Sequence, residues 1–71
     1  MMTGSAVSKR IGKRIRQIRG GKSISQEDLA GDAGLNRAYV GYIERGERNP
    51  STETLARIAK ALKVPLQKLF E

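Results

Sequence analysis

The chain has 71 residues, 14 Lys and Arg against 7 Asp and Glu for a net charge of +7, no His, no Cys and an apolar fraction of 38%. A domain this small buries only about 60% of the surface its unfolded form exposes, so its stability has to come from well-packed helices or from dimerisation. Without His or Cys there is no zinc site of the usual kinds, no disulfide and no Ser-His-Asp or Cys-His nucleophile system, which argues against an enzyme and leaves no metal and no cofactor to expect.

Met1 to Ser8 lack the apolar core of a signal peptide and read as a flexible tail, with residues 9–71 as the single domain. No run approaches the roughly 18 apolar residues of a membrane span, so the expected location is the cytoplasm, in association with the nucleoid. The charge is uneven. Residues 1–24 hold Lys9, Arg10, Lys13, Arg14, Arg16, Arg19 and Lys22 with no acid, whereas residues 25–50 are net acidic. Such a basic stretch reads as an anion-seeking surface, with a merely solvated helix face as the alternative.

In the first predicted helix Ile11, Ile15 and Ile18 form one narrow apolar stripe that ends at Gly20-Gly21. Ser25 has the form of an N-cap with a capping-box acid at Asp28, and Leu29, Ala30 and Ala33 give the buried face of a short second helix. Gly34 turns that helix off, Leu35 supplies an apolar anchor and Asn36 caps a third helix whose inward side is Val40 and Ile43. Gly46 is placed to end it in the left-handed conformation. After Asn49-Pro50, Ser51 or Thr52 caps a fourth helix lined by Leu55, Ile58, Ala59 and Leu62, and Val64-Pro65 separates it from a last short helix with Leu66, Leu69 and Phe70. No stretch alternates with a period of two, so the fold class is all-α, a compact five-helix domain.

From Ser25 to Gly46 the order is short helix, glycine-containing turn, short helix, which is the helix-turn-helix plan in which the second helix enters the major groove. Stepping about 100° per residue from Val40, Ile43 and Glu44 fall on the inward side, while Ala38, Gly41, Tyr42 and Arg45 fall outward. Gly41 costs about 1 kcal/mol relative to Ala in a helix, either to let DNA approach closely or through drift.

The run Ser25-Gln26-Glu27-Asp28-Leu29-Ala30, with Ala33-Gly34-Leu35, Tyr39-Val40, Ile43-Glu44-Arg45-Gly46, Arg48-Asn49-Pro50-Ser51, Thr54-Leu55 and Ile58-Ala59, resembles the phage-repressor and Cro family of DNA-binding domains over roughly residues 10–70. Small stand-alone members of that family include phage repressors, restriction-modification controller proteins and antitoxins. The resemblance implies a lambda-repressor-like fold and a sequence-specific regulator of transcription, homodimeric through its fourth and fifth helices, on double-stranded DNA. It places Arg37, Ala38 and Tyr42 at base-reading positions: Arg37 suits guanine O6 and N7, Ala38 a thymine methyl, and Tyr42 a base or phosphate oxygen, with a domain edge or dimer contact as its duller role.

Gln26, Arg45, Arg48 and Asn49 fall where relatives grip phosphate, and Asn36 and Tyr39 join that set, Tyr39 with packing on the domain body as its alternative. Arg48 has the better claim of the two loop arginines because Arg45 flanks two acids, Glu44 and Glu47. Arg19 and Glu44 match an internal ion pair that joins two helices. The rival function is an antitoxin or other module whose main partner is a protein and whose DNA binding is autoregulatory. Gly21-Lys22-Ser23 imitates the end of a phosphate-binding loop but lacks the required upstream glycine, since Arg16 stands there.

Overall fold

The computed structural model describes residues 5–71. Four α-helices follow one another, α1 (Ala6–Gly21), α2 (Gln26–Ala33), α3 (Arg37–Glu44) and α4 (Thr52–Leu62), and a 3₁₀ helix spans Leu66–Phe70. The architecture is all-α, with no strand among the described residues. The fifth element is a five-residue 3₁₀ helix opened by Pro65, with the tighter bond from Lys68 N to the Pro65 carbonyl at 3.0 Å.

Each α-helix begins on a side-chain cap. Ser5, Ser25, Asn36 and Ser51 accept from the backbone N–H of Ser8, Asp28, Ala38 and Thr54 at 3.1, 2.9, 2.7 and 3.1 Å. Such a cap contributes typically about 1 kcal/mol. The cap at Ser5 shortens the expected tail: residues 6–8 are helical and Ser8 is buried, its Oγ donating to Asn49 Oδ1 at 3.4 Å, while the rest of that expected tail lies outside the described residues.

The apolar stripes meet in one core. Ile15, Leu29, Ile43, Ile58, Leu62, Leu69 and Val40 are almost wholly buried, joined by Ile11, Leu55 and the small faces of Ala30, Ala33 and Ala59. Burying a side chain of the Leu or Ile class contributes about 1.5–3 kcal/mol, so these few residues hold the short helices in place. Gly34 at φ 70° and Gly46 at φ 75° end α2 and α3 in the left-handed region, where a side chain is strained.

Gly12 permits the closest approach. α1 crosses the end of α3 so tightly that a Cβ on Gly12 would overlap the Ile43 carbonyl oxygen and stand 2.7 Å from that of Glu44. The crossing fixes the height of α3 above the domain body.

Arginines also close helix ends. Arg57 reaches from α4 to the C-terminus of α2, donating through Nε to the Ala33 carbonyl and through Nη2 to that of Gly34, both at 3.1 Å. Arg14 donates to the Lys68 carbonyl at 2.9 Å, its Nη2 lies 3.5 Å from a Glu71 carboxylate oxygen, and Arg10 donates to the Glu71 main-chain oxygen at 3.4 Å. These contacts place cations on the negative ends of helices. Arg10 and Arg14 of the basic first third thus also touch the last residues of the chain, Arg10 from an exposed position, and Lys9, Lys13, Arg16 and Lys22 are exposed beside them.

Candidate nucleic-acid interface

The outer face of α3 is set from within. Val40 and Ile43, each 1% exposed, lock the helix to the core, which turns Arg37, Ala38, Tyr42 and Arg45 to the surface. Together with Gln26 and Gly41 these four line a shallow concavity of about 240 Å³. Gly41 departs from its expected open position. Arg45, one turn further on, folds back over it, and a Cβ at Gly41 would stand 3.2 Å from Arg45 Nη1. The absence of a side chain at Gly41 makes the floor of the concavity.

Beneath this face lies a charge network. Arg19 Nε donates to Glu44 Oε2 at 2.6 Å and Arg19 Nη2 to Glu44 Oε1 at 3.1 Å, a bidentate pair whose side chains are 16% and 2% exposed. Arg19 Nη1 also donates to the Ile24 carbonyl at 2.8 Å, and Gln26 Nε2 donates to Glu44 Oε1 at 2.9 Å. The Glu44 carboxylate therefore ties the ends of α1 and α3 to the start of α2. Gln26 is held at the rim of the concavity with its second amide hydrogen still available.

At the other rim both loop arginines stack on one ring. The guanidinium carbons of Arg45 and Arg48 lie 5.1 and 5.0 Å from the Tyr42 centroid, within cation–π range. Arg45 Nε is also 3.2 Å from Glu47 Oε1. Tyr42 is thus a platform for two cations besides being an outward group of α3.

The remaining candidate residues stand around this centre. Asn36 is exposed, with its Oδ1 occupied by the cap to Ala38. Tyr39 is half-buried and packs against the core, the domain-body alternative for its ring. Asn49 is exposed and its Oδ1 accepts from Ser8, which leaves its amide N–H groups as donors. The start of α1 abuts the loop after α3, because a Cβ on Gly46 would stand 2.6 Å from Lys9 Cγ and 2.8 Å from its Cα.

The first turn of α2 carries Glu27 and Asp28, which oppose anion binding by its free N–H groups. Glu47 entered the sequence reading as one of the two acids beside Arg45, whereas the pairing of both arginines with Tyr42 escaped it. The only trace of that pairing is the spacing of Tyr42, Arg45 and Arg48, which a solvated helix end shares. No metal-holding cluster of acids occurs among the described residues, and no helix there is long and apolar enough to cross a membrane.

The chain is similar to known proteins in sequence and in fold. Control protein C.BamHI of Bacillus amyloliquefaciens is 46% identical over 61 residues, which cover 84% of this chain and 75% of that one. The restriction-modification controller protein C.AhdI of Aeromonas hydrophila superposes with a TM-score of 0.86 at 44% identity, covering 87% of this chain and 94% of that one. C.Esp1396I bound to a 25 base pair operator site superposes with a TM-score of 0.81 at 38% identity, covering 86% of this chain and 80% of that one. The sequence profile of the helix-turn-helix family matches residues 15–69, from the middle of α1 to the terminal 3₁₀ helix, and with that match the chain belongs to the helix-turn-helix family.

Proposed function

We propose that this chain is a sequence-specific regulator of transcription that binds double-stranded DNA as a homodimer, with α3 in the major groove. The observation that carries the reading is the convergence of Gln26, Arg37, Ala38, Tyr42 and Arg45 on one concavity whose floor is Gly41. A controller protein of the same fold bound to its operator supports it, as does the similarity to control protein C.BamHI, a protein of comparable length. In this reading the protein performs no chemistry. It acts by occupying a site.

Arg37, at the first position of α3, is the guanine reader, since N-terminal residues of a recognition helix are those that reach base edges. Ala38 meets a thymine methyl, and Tyr42 reaches a base or phosphate oxygen from its edge. Gln26, Asn36, Tyr39, Arg48 and Asn49 fix the domain on the phosphates without reading sequence, and Arg45 stands beside them on the same face. Arg19 and Glu44 are structural, holding Gln26 and α3 at fixed relative heights.

Two copies place their recognition helices about 34 Å apart, which matches half-sites separated by one helical turn. The interface we assign is α4 with the terminal 3₁₀ helix, where Phe70 remains 47% exposed beside the half-buried Leu66. Selection of bound sequences from a random duplex pool at about 150 mM salt, followed by titration against scrambled DNA, tests the whole reading. A symmetric site preferred by about 10³-fold or more is the expected result. Uniform, salt-sensitive binding with no enriched site overturns it and moves the function to a protein partner.

A further inference from the structure

Arg45 is held in a way that a phosphate-gripping side chain does not require. Its Nε edge is engaged by Glu47 Oε1 at 3.2 Å, and its plane lies over the Tyr42 ring with the guanidinium carbon 5.1 Å from the centroid. The opposite edge projects over the one residue of α3 that has no side chain. A Cβ at Gly41 would come within 3.2 Å of Nη1, 3.9 Å of Cζ and 4.0 Å of Nη2. Three neighbours flank the guanidinium, a carboxylate behind, a ring alongside and bare helix backbone below, while the Arg45 and Glu47 side chains stay 54% and 52% exposed.

From this geometry we infer that Arg45 is a second base-reading residue and that Glu47 is its positioning residue. The inference rests on the DNA-binding reading given above and deepens it. A guanidinium recognises a guanine edge through two parallel N–H groups in fixed geometry, whereas phosphate accepts donors from many directions. Holding Nε by Glu47 leaves the two Nη groups as the forked edge, which lies over Gly41 in the concavity that Arg45 and Arg37 both line. Glu47 also bars Nε from phosphate, so the carboxylate that looks like a handicap for a phosphate contact is an advantage for a directed one.

Gly41 completes the device by leaving room for the fork to lie low over α3. Arg48 stacks on the same ring and has no carboxylate partner among the described residues, which fits a less directed phosphate contact. Two arginines beside one tyrosine thus divide between reading and gripping according to which of them an acid holds.

The test is sequence selection with the purified full chain and its variants Arg45→Ala, Glu47→Gln and Gly41→Ala, each followed by titration of the winning duplex and its single-base-pair changes over a range of salt. Arg45→Ala is expected to reduce discrimination at one base pair per half-site by about 5–100-fold, at a position separate from the one that Arg37→Ala relaxes. Glu47→Gln and Gly41→Ala are expected to weaken discrimination at that same base pair by about 3–10-fold while preference at the Arg37 position persists. Both substituted residues lie apart from the hydrophobic core, and circular dichroism of each variant establishes that it is folded.

If Arg45→Ala weakens all duplexes alike and lowers the salt slope by about 1, Arg45 is a phosphate contact and the inference is overturned. If Glu47→Gln leaves discrimination unchanged or sharpens it, Glu47 has no positioning role. If the unsubstituted chain itself selects no sequence, the DNA-reading function fails first, a result distinct from either of these.

Discussion

Arg19 and Glu44 meet through two hydrogen bonds of 2.6 and 3.1 Å, and the same carboxylate accepts from Gln26 at 2.9 Å, so one buried acid joins three helices beneath the outer face of α3. With Glu44 only 2% exposed, the pair is shielded from water and its parts are not independent. Arg19→Ala strands a buried carboxylate and is expected to destabilise the fold by about 3–5 kcal/mol in urea unfolding. Replacing both partners by apolar residues of similar volume is expected to cost much less, because no charge is then left unpaired. Equal losses in the single and double variants would show that the pair makes no coupled contribution.

Gly12 and Gly31 offer a contrast between two glycines in helix interiors. At Gly31 an added Cβ meets nothing within 4 Å, whereas at Gly12 it overlaps the backbone of α3. Gly31→Ala is expected to stabilise the protein by about 1 kcal/mol through helix propensity and a stiffer unfolded chain. Gly12→Ala is expected to destabilise it by about 1–3 kcal/mol or more, since relief requires backbone to move. Thermal unfolding of the two variants decides this, and a rise in Tm for both would mean that the crossing of α1 over α3 is looser than described.

These two glycines also mark where sequence reasoning succeeds and stops. Helix starts were legible because a cap is a local device: Ser25, Asn36 and Ser51 each bind an N–H two or three residues away. The ends at Gly34 and Gly46 were legible for the same reason, through a positive φ that the residue type announces. What Gly12 does depends on a helix some thirty residues later, and nothing near it in the chain carries that information. The contacts of Arg10, Arg14 and Arg57 were not legible because their partners are carbonyls of distant helix ends. The outward face of α3 followed from its helical wheel, but neither the concavity with Gln26 nor the orientation of Arg45 within it did, because these depend on packing and rotamers rather than on spacing.

Phe70 supplies the test of assembly. It is 47% exposed at the end of the 3₁₀ helix while its neighbour Leu69 is fully buried, so the outer ring can change without opening the core. Phe70→Lys is expected to raise the dimer dissociation constant by about tenfold or more, as removal of an aromatic anchor commonly does. Its monomer should stay folded. Sedimentation equilibrium over a concentration series measures the change, and an unaltered association constant would move the interface elsewhere.

Arg37 and Arg48 separate reading from gripping on the proposed DNA face. Arg37 stands at the start of α3 on the rim of the concavity, while Arg48 lies in the loop beyond it and stacks on Tyr42 with its guanidinium carbon 5.0 Å from the centroid. Arg37→Ala is expected to cost about 1–3 kcal/mol on the preferred site and to relax preference at one base pair. Arg48→Ala is expected to weaken preferred and scrambled duplexes alike and to lower the slope of log K against log salt by about 1, because a single phosphate contact releases about one counterion. Titrations of both variants against both duplexes at several salt concentrations distinguish the two effects. A uniform loss from Arg37→Ala with a base-specific loss from Arg48→Ala would reverse the assignment and place the reading face at the C-terminal end of α3.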